Sequence, residues 1–277
     1  MVVEWYNSMW EHRDKRMDGW FLLGSIWPTL IMSVAYVFMV KIFGPAYMSR
    51  KKPVDFKNFM MAYNIVQVAS CGWMLRQFWI GGWGTYYNYF CQKVDLDDRP
   101  GSRAMIMATS MYWFYMSKLL DFVDTFLFVA RKKNSQITTL HVFHHAIMPL
   151  YTWMMVRWIP GGQETFGGLL NTFIHVLMYS YYFLSALGDW IQPYLWWKRY
   201  LTQAQMVQFI LIFIKCTIIV SGVASCGFPW EMSALTGALM IVFFYLFYDF
   251  YTSAYKKRRE GGRSKAVEVT QNGKKHE

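Results

Sequence analysis

Charge is what this chain has least of. Asp, Glu, Lys and Arg make up 16% of its 277 residues, where a soluble globular domain carries roughly 25%. With 55% hydrophobic and 20% aromatic residues beside that deficit, an ordinary soluble domain is excluded and a bilayer is indicated. Cysteine is also sparse: four residues are too few for a disulfide scaffold. Residues 1–19 lack the short apolar core and small-residue cleavage site of a secretory leader, so the first span is expected to do the targeting. No internal repeat is visible. The formal charge of +11 would suit a nucleic-acid partner, but the basic residues flank apolar runs, as membrane loops do, so nucleic acid is not expected.

What is present is a series of apolar stretches long enough to cross hydrocarbon, which takes about 20 residues each. Seven are read: Trp20 to Phe43, Phe56 to Ile80, Ala104 to Ala130, Thr139 to Trp158, Thr165 to Leu187, Tyr200 to Gly222 and Ser233 to Tyr255. Turn residues separate them, among them Gly44-Pro45, Gly81-Gly82, Pro160-Gly161-Gly162 and Gly227 with Pro229. The 14 Trp and 19 Tyr suit headgroup belts at both faces. The fold class is therefore an all-α integral membrane protein with seven transmembrane helices.

Basic residues set the orientation. Arg50 to Lys52, Lys57, Arg131 to Lys133, Lys198, Arg199 and the tail outnumber Arg13, Lys15, Arg16, Lys93, Arg99, Arg103 and Arg157 on the other side. The C-terminus is thus expected in the cytosol and the N-terminus outside. The domain reading is a lumenal segment 1–19, a bundle 20–255 and a basic tail 256–277 expected to be disordered. Cys91 and Cys226 fall in loops on the oxidising side, where they either form a disulfide or stay as two buried thiols; Cys71 and Cys216 are read as buried thiols.

Ionisable groups inside lipid are costly, so they face the bundle interior and become functional candidates. The third span carries Lys118, Asp121, Asp124 and Thr125 along one stripe, where Lys118 and Asp121 can neutralise each other. The fourth carries His141, His144 and His145 on one face. The fifth carries Asn171, His175, Tyr179 and Tyr182, and the sixth opens with Thr202, Gln205 and Gln208. With alternating helix direction these sets meet at similar depth in the cytosolic half. Arg131, Lys132, Lys133, Lys198 and Arg199 lie at the mouth, where they would attract phosphates or merely form a positive-inside rim.

Six histidines, of which His12 and His276 lie near the termini, leave four for the bundle. That is fewer than a di-iron lipid desaturase or hydroxylase would need. A single zinc on His141, His145 and His175 stays open by spacing. Without metal, an imidazole serves as base or nucleophile. No cysteine lies on the polar stripes, so a covalent acyl intermediate would have to form on histidine.

Four motifs in order then resemble the fatty-acid elongase family, the condensing enzymes of very-long-chain fatty-acid elongation in the endoplasmic reticulum. They are Lys-Leu-Leu-Asp-Phe-Val-Asp-Thr at 118–125, His-Val-Phe-His-His at 141–145, Asn-Thr-Phe-Ile-His-Val-Leu-Met-Tyr-Ser-Tyr-Tyr at 171–182 and Thr-Gln-Ala-Gln-Met-Val-Gln at 202–208. The family usually has Glu where this chain has Asp121. The resemblance implies six of the seven helices surrounding an acyl-chain tunnel closed at the lumenal end. It implies condensation of malonyl-CoA with a long-chain acyl-CoA to a 3-ketoacyl-CoA, with loss of CO2 and CoA and no bound cofactor or metal. His144 is the expected nucleophile. His141, His145 and His175 would orient it or move protons, with Lys118, Asp121 and Asp124 in the same machinery and Asn171 and Tyr179 as oxyanion donors. Tyr182, Thr202, Gln205, Gln208 and the five basic mouth residues would contact substrate or CoA. The reductases and dehydratase of the same cycle are implied as partners. Lys274-Lys275 resembles a dilysine retrieval signal. A metal-dependent desaturase or hydroxylase and a seven-helix receptor or transporter are the rival classes.

Overall fold

The computed structural model of the chain describes residues 10–256; residues 1–9 and 257–277, with the tail and Lys274-Lys275, lie outside them. The described residues form helices joined by turns. Helix α1 is Trp27–Ser49, α2 is Lys57–Phe78, α3 is Arg103–Leu120 and α4 is Phe122–Ala130. After these come α5 at Thr139–Trp158, α6 at Thr165–Ala186, α7 at Lys198–Val220 and α8 at Trp230–Tyr251.

The start of α1 corrects the sequence reading by seven residues, because Pro28 occupies the first turn, where its fixed φ and missing N–H suit a helix start. The preceding residues 20–26, expected inside the span, instead fold into turns that bury Leu23 against the bundle end. Gly44-Pro45 was expected to stop the helix and does not. A widened π turn at Met39–Phe43 precedes it, and the helix resumes through Gly44–Ser49. Gly44 is needed there, since a Cβ would stand 2.5 Å from the Met39 carbonyl oxygen.

The third span is not one rod. It is jointed at Asp121, where α3 ends and α4 begins in line with it. Helix α3 starts from Ser102, whose Oγ accepts from the Met105 N–H at 3.2 Å. Helix α5 starts the same way, with Thr138 Oγ1 accepting from the His141 N–H at 3.2 Å, and it fits the expected boundaries.

The packing closes on itself. Helix α2 lies on α6, α6 on α7, α7 on α8, α8 on α5, α5 on α3, and α3 back on α2, while α1 lies outside against α5. A cavity inside this arrangement is lined from α3, α5, α6, α7 and α8. Among the described residues, helices α1, α7 and α8 are the three long and apolar enough to cross a membrane, and they turn large apolar side chains outward, such as Ile31, Val34, Ile210, Ile214 and Ile241. The chain is a helical membrane protein.

At the end where α5 stops and α6 begins, Cys91 and Cys226 are joined in a disulfide, so the first of the two sequence readings holds. Arg157 is 2% exposed there and its guanidinium bonds Asp18, holding that carboxyl below its usual range. Arg16 pairs with Asp14 at 2.6 Å. The opposite end carries Arg131, Lys132, Lys198 and Arg199.

Candidate functional site

The site begins at the joint between α3 and α4. Lys118, 2% exposed, donates from Nζ to Asn171 Oδ1 at 2.9 Å and pairs with Asp121 Oδ2 at 3.4 Å. The same ammonium lies 4.6 Å from the Phe114 ring centroid. Asp121 spends its other oxygen on two more partners: Gln67 Nε2 donates to Oδ1 at 2.9 Å, and the Tyr179 hydroxyl lies 2.9 Å from it. Tyr179 also reaches Asp124 Oδ2 at 2.7 Å. A buried ion pair is tolerable when further hydrogen bonds satisfy its remaining lone pairs, and here they do.

The histidines divide into different surroundings. His141 Nε2 is 2.8 Å from Thr125 Oγ1, which in turn is 2.9 Å from the Tyr36 hydroxyl on α1. His145 stands between its neighbours, 4.3 Å from His141 and 5.1 Å from His144 by ring centroids. His144 faces the internal cavity, 5.2 Å from the Phe243 ring, and neither of its ring nitrogens bonds another described residue. His175 is buried beside Tyr179, 5.6 Å ring to ring.

Asn171 and Gln208 line the cavity with His144. Its walls are otherwise apolar, chiefly Met111, Phe114, Met148, Phe209, Ile212 and Met240, until Glu164, Tyr151 and Thr236 at the disulfide end. There Ser233 Oγ donates to Glu164 Oε1 at 2.7 Å, and the Tyr151 and Thr236 hydroxyls are 2.8 Å apart.

Not every residue singled out in the sequence reaches this cavity. Tyr179 faces the two carboxyls, so its hydroxyl is committed away from an oxyanion role. Tyr182 stacks edge-on to Tyr179 at 5.9 Å. Thr202 Oγ1 bonds the Lys198 carbonyl at 3.5 Å, and Gln205 Nε2 meets Met178 Sδ at 3.8 Å. Arg131 reaches Met60 Sδ at 2.9 Å, Lys132 reaches the Ser49 carbonyl at 3.4 Å, and Lys133 is exposed. Lys198 lies over Tyr181 and Arg199 over Tyr200. His141, His145 and His175 do not come together as a metal-binding set of three, and no other such set occurs among the described residues.

Sequence reasoning missed Gln67, which donates to Asp121 and to the Tyr63 hydroxyl at 2.9 Å, and Tyr36, whose hydroxyl bonds Thr125. Asn64 and Gln67, both buried within the otherwise apolar α2, were the available signal, because a polar amide inside a membrane helix asks for a partner.

A helical membrane protein in which one histidine, His144, and two carboxamides line a largely apolar cavity belongs to the class that carries a polar site inside its helix bundle. Within that class the chain is a member of the GNS1/SUR4 (ELO) family, whose model matches residues 21–263. It is 41% identical to a very long chain fatty acid elongase of Aedes aegypti over 96% of this chain and 75% of the relative. It is also 40% identical to very long chain fatty acid elongase 7 of Drosophila melanogaster, over 95% and 78%. Human very long chain fatty acid elongase 4 is 38% identical, over 98% of this chain and 86% of the relative.

Proposed function

We propose that the protein is a 3-ketoacyl-CoA synthase of fatty-acid elongation, condensing malonyl-CoA with a long-chain acyl-CoA and releasing CO2 and CoA. The observation that carries this reading is His144, an imidazole with no hydrogen-bond partner among the described residues, facing an apolar-walled cavity beside two carboxamides. The family and the named elongases among its relatives supply the substrate class.

In this reading seven spans cross the endoplasmic reticulum membrane, with the disulfide end in the lumen and Arg131 to Lys133, Lys198 and Arg199 at a cytosolic mouth that takes CoA phosphates. Six spans enclose the acyl chain. His144 attacks the thioester carbon, the C–S bond breaks, and the imidazole proton leaves with the CoA thiolate. Malonyl-CoA then loses CO2, and its enolate carbon attacks the acyl-imidazole to form the new C–C bond, after which His144 regains a proton. His145 and His175 position and move protons, whereas His141, tied to Thr125, holds the helix. Water exclusion protects the acyl-imidazole. The reductases and dehydratase of the cycle receive the product.

The test is to incubate membranes containing the protein with labelled malonyl-CoA and a panel of acyl-CoAs. Label is expected in a chain two carbons longer, and none is expected with His144→Ala. An unlabelled panel with wild type, beside an active elongase control, overturns the reading.

A further inference from the structure

Gln208 has no role in the network around Asp121, yet it is 5% exposed, lines the cavity, and has a sealed Oε1 with no hydrogen-bond partner. Its amide nitrogen likewise bonds no described residue. Oε1 is sealed from any ligand, whereas Nε2 is not, so Nε2 is the end of this carboxamide that a ligand's acceptor can reach.

Asn171 shows which end of a neighbouring amide is available. Lys118 has no acceptor capacity, so its 2.9 Å contact fixes Oδ1 as the atom it meets and sends Nδ2 the other way. Asn171 lies on the cavity wall and its Nδ2 bonds no described residue, so Nδ2 is the end of this amide left for a ligand. Gln208 comes from α7 and His144 from α5, and both line the cavity. Phe243 ties the two walls together, since its ring is 5.2 Å from His144 and 5.8 Å from Phe209, the residue after Gln208.

We infer that Gln208 Nε2 and Asn171 Nδ2 form the two-donor site for the thioester carbonyl oxygen attacked by His144. This rests on the condensing reading above and deepens it. As the imidazole nitrogen bonds to the carbonyl carbon, the C=O electron pair moves onto oxygen, and both N–H groups meet the negative charge. When the pair returns, the C–S bond breaks and CoA leaves with the imidazole proton. Tyr179 cannot share this work because its hydroxyl is held by Asp121 and Asp124. The same two amides leave the charge without a full counter-ion, which suits an oxyanion that must form and collapse in one turnover.

The first half-reaction isolates the assignment. Purified full-length protein is mixed with octadecanoyl-CoA alone, and CoA thiol release is followed together with the mass gained on the peptide bearing His144. Wild type is expected to release CoA and take up the acyl group. Gln208→Leu and Gln208→Met, the second keeping the side-chain length but removing the donor, are expected to slow acylation by about 10²–10³-fold, with half-saturating acyl-CoA changed by less than about 3-fold. Native melting is checked for each variant, and the length-preserving Gln208→Met decides if Gln208→Leu does not fold. Acylation of both variants within about 3-fold of wild type overturns this assignment and leaves the condensing reading standing. A wild type that is never acylated, although it elongates chains, overturns the assignment as well; a wild type that does neither overturns both.

Discussion

Lys118 Nζ binds Asn171 Oδ1 at 2.9 Å while pairing with Asp121 Oδ2 at 3.4 Å, so one ammonium neutralises a buried carboxylate and sets the orientation of an amide on another helix. Removing it leaves Asp121 charged and without its cation, a loss of about 3–5 kcal/mol for a broken buried pair. Lys118→Met is therefore expected to lower the melting temperature of the detergent-solubilised protein strongly. The double variant Lys118→Met/Asp121→Leu should recover much of that stability but not elongation, because Asn171 is still unanchored. Melting curves and labelled-malonyl incorporation on the same preparations separate the two effects, and a double variant no more stable than Lys118→Met would contradict the pairing.

The His141–Thr125 contact is a bond between α5 and α4, with Tyr36 extending it to α1. Thr125→Val and His141→Ala should each destabilise by about 1–3 kcal/mol, the cost of stranding a buried polar partner. In a double-mutant cycle the two should be non-additive, with a coupling of about 1 kcal/mol. Additive losses would mean that the two side chains do not act through each other.

The sequence showed the helices better than their ends. The periodic stripe Lys118, Asp121, Asp124, Thr125 was legible because charges inside an apolar run have few places to go, and all four side chains are buried. The start of α1 was misread because Trp20 to Ile26 is as apolar as a span, although that stretch packs on the bundle end rather than running through it. The Gly44-Pro45 stop failed for another reason: a π turn absorbs the proline, and such a turn has no composition of its own. What separates His144 from His141 is also illegible in one dimension. Both lie on one face of α5, and only the positions of Thr125 and Phe243 on other helices decide which imidazole is tied and which is free.

Cys91 and Cys226 are 135 residues apart in the chain. Chain-entropy arguments give a cross-link of that span about 5 kcal/mol at most, and measured native disulfides more often give about 2–4. Helices that persist in detergent shrink the entropy released on unfolding, so the low end is expected. Cys226→Ser should lower the melting temperature to match reduced wild type, and reduction should change the mobility of wild type alone on a denaturing gel. Equal melting of oxidised and reduced wild type would show that the bond contributes nothing.

Two acidic residues at the disulfide end give the stability a pH dependence. The Arg157 hydrogen bond, helped by Arg13, holds the Asp18 carboxyl below its usual range, and Arg99 brings Asp97 down to about 2. Both folded values lie below the unfolded value of about 4, so their contribution is present above about pH 4 and is lost as pH falls toward 2. Both carboxylates touch solvent, which screens the effect. Asp18→Asn is expected to flatten the fall in melting temperature between about pH 4 and pH 2. It should also lower melting at neutral pH, where Arg157 is left buried without its anion. An unchanged acid slope in Asp18→Asn would place the sensitivity elsewhere.

Helices α2 and α6 pack closely where Gly168 meets Phe78. A Cβ at Gly168 would stand 2.8 Å from Phe78 Cζ and within 3.3 Å of two more ring atoms. Phe78 is fully buried and has no free side to move toward, since its edge meets Phe114 with 6.2 Å between centroids. Phe114 in turn carries the Lys118 ammonium over its ring. Gly168→Ala is thus expected to cost about 1–3 kcal/mol by overpacking and to reduce elongation by displacing Phe114 and with it Lys118. Gly167→Ala is the matched control, because its Cβ would meet only Ile212 Cδ1 at 3.6 Å, an ordinary contact. Phe78→Leu in the Gly168→Ala background removes the clashing ring atoms and should restore part of both stability and activity. If Gly168→Ala melts and elongates like Gly167→Ala, the α2–α6 contact is looser than this geometry requires and the coupling from Phe78 to Lys118 does not exist.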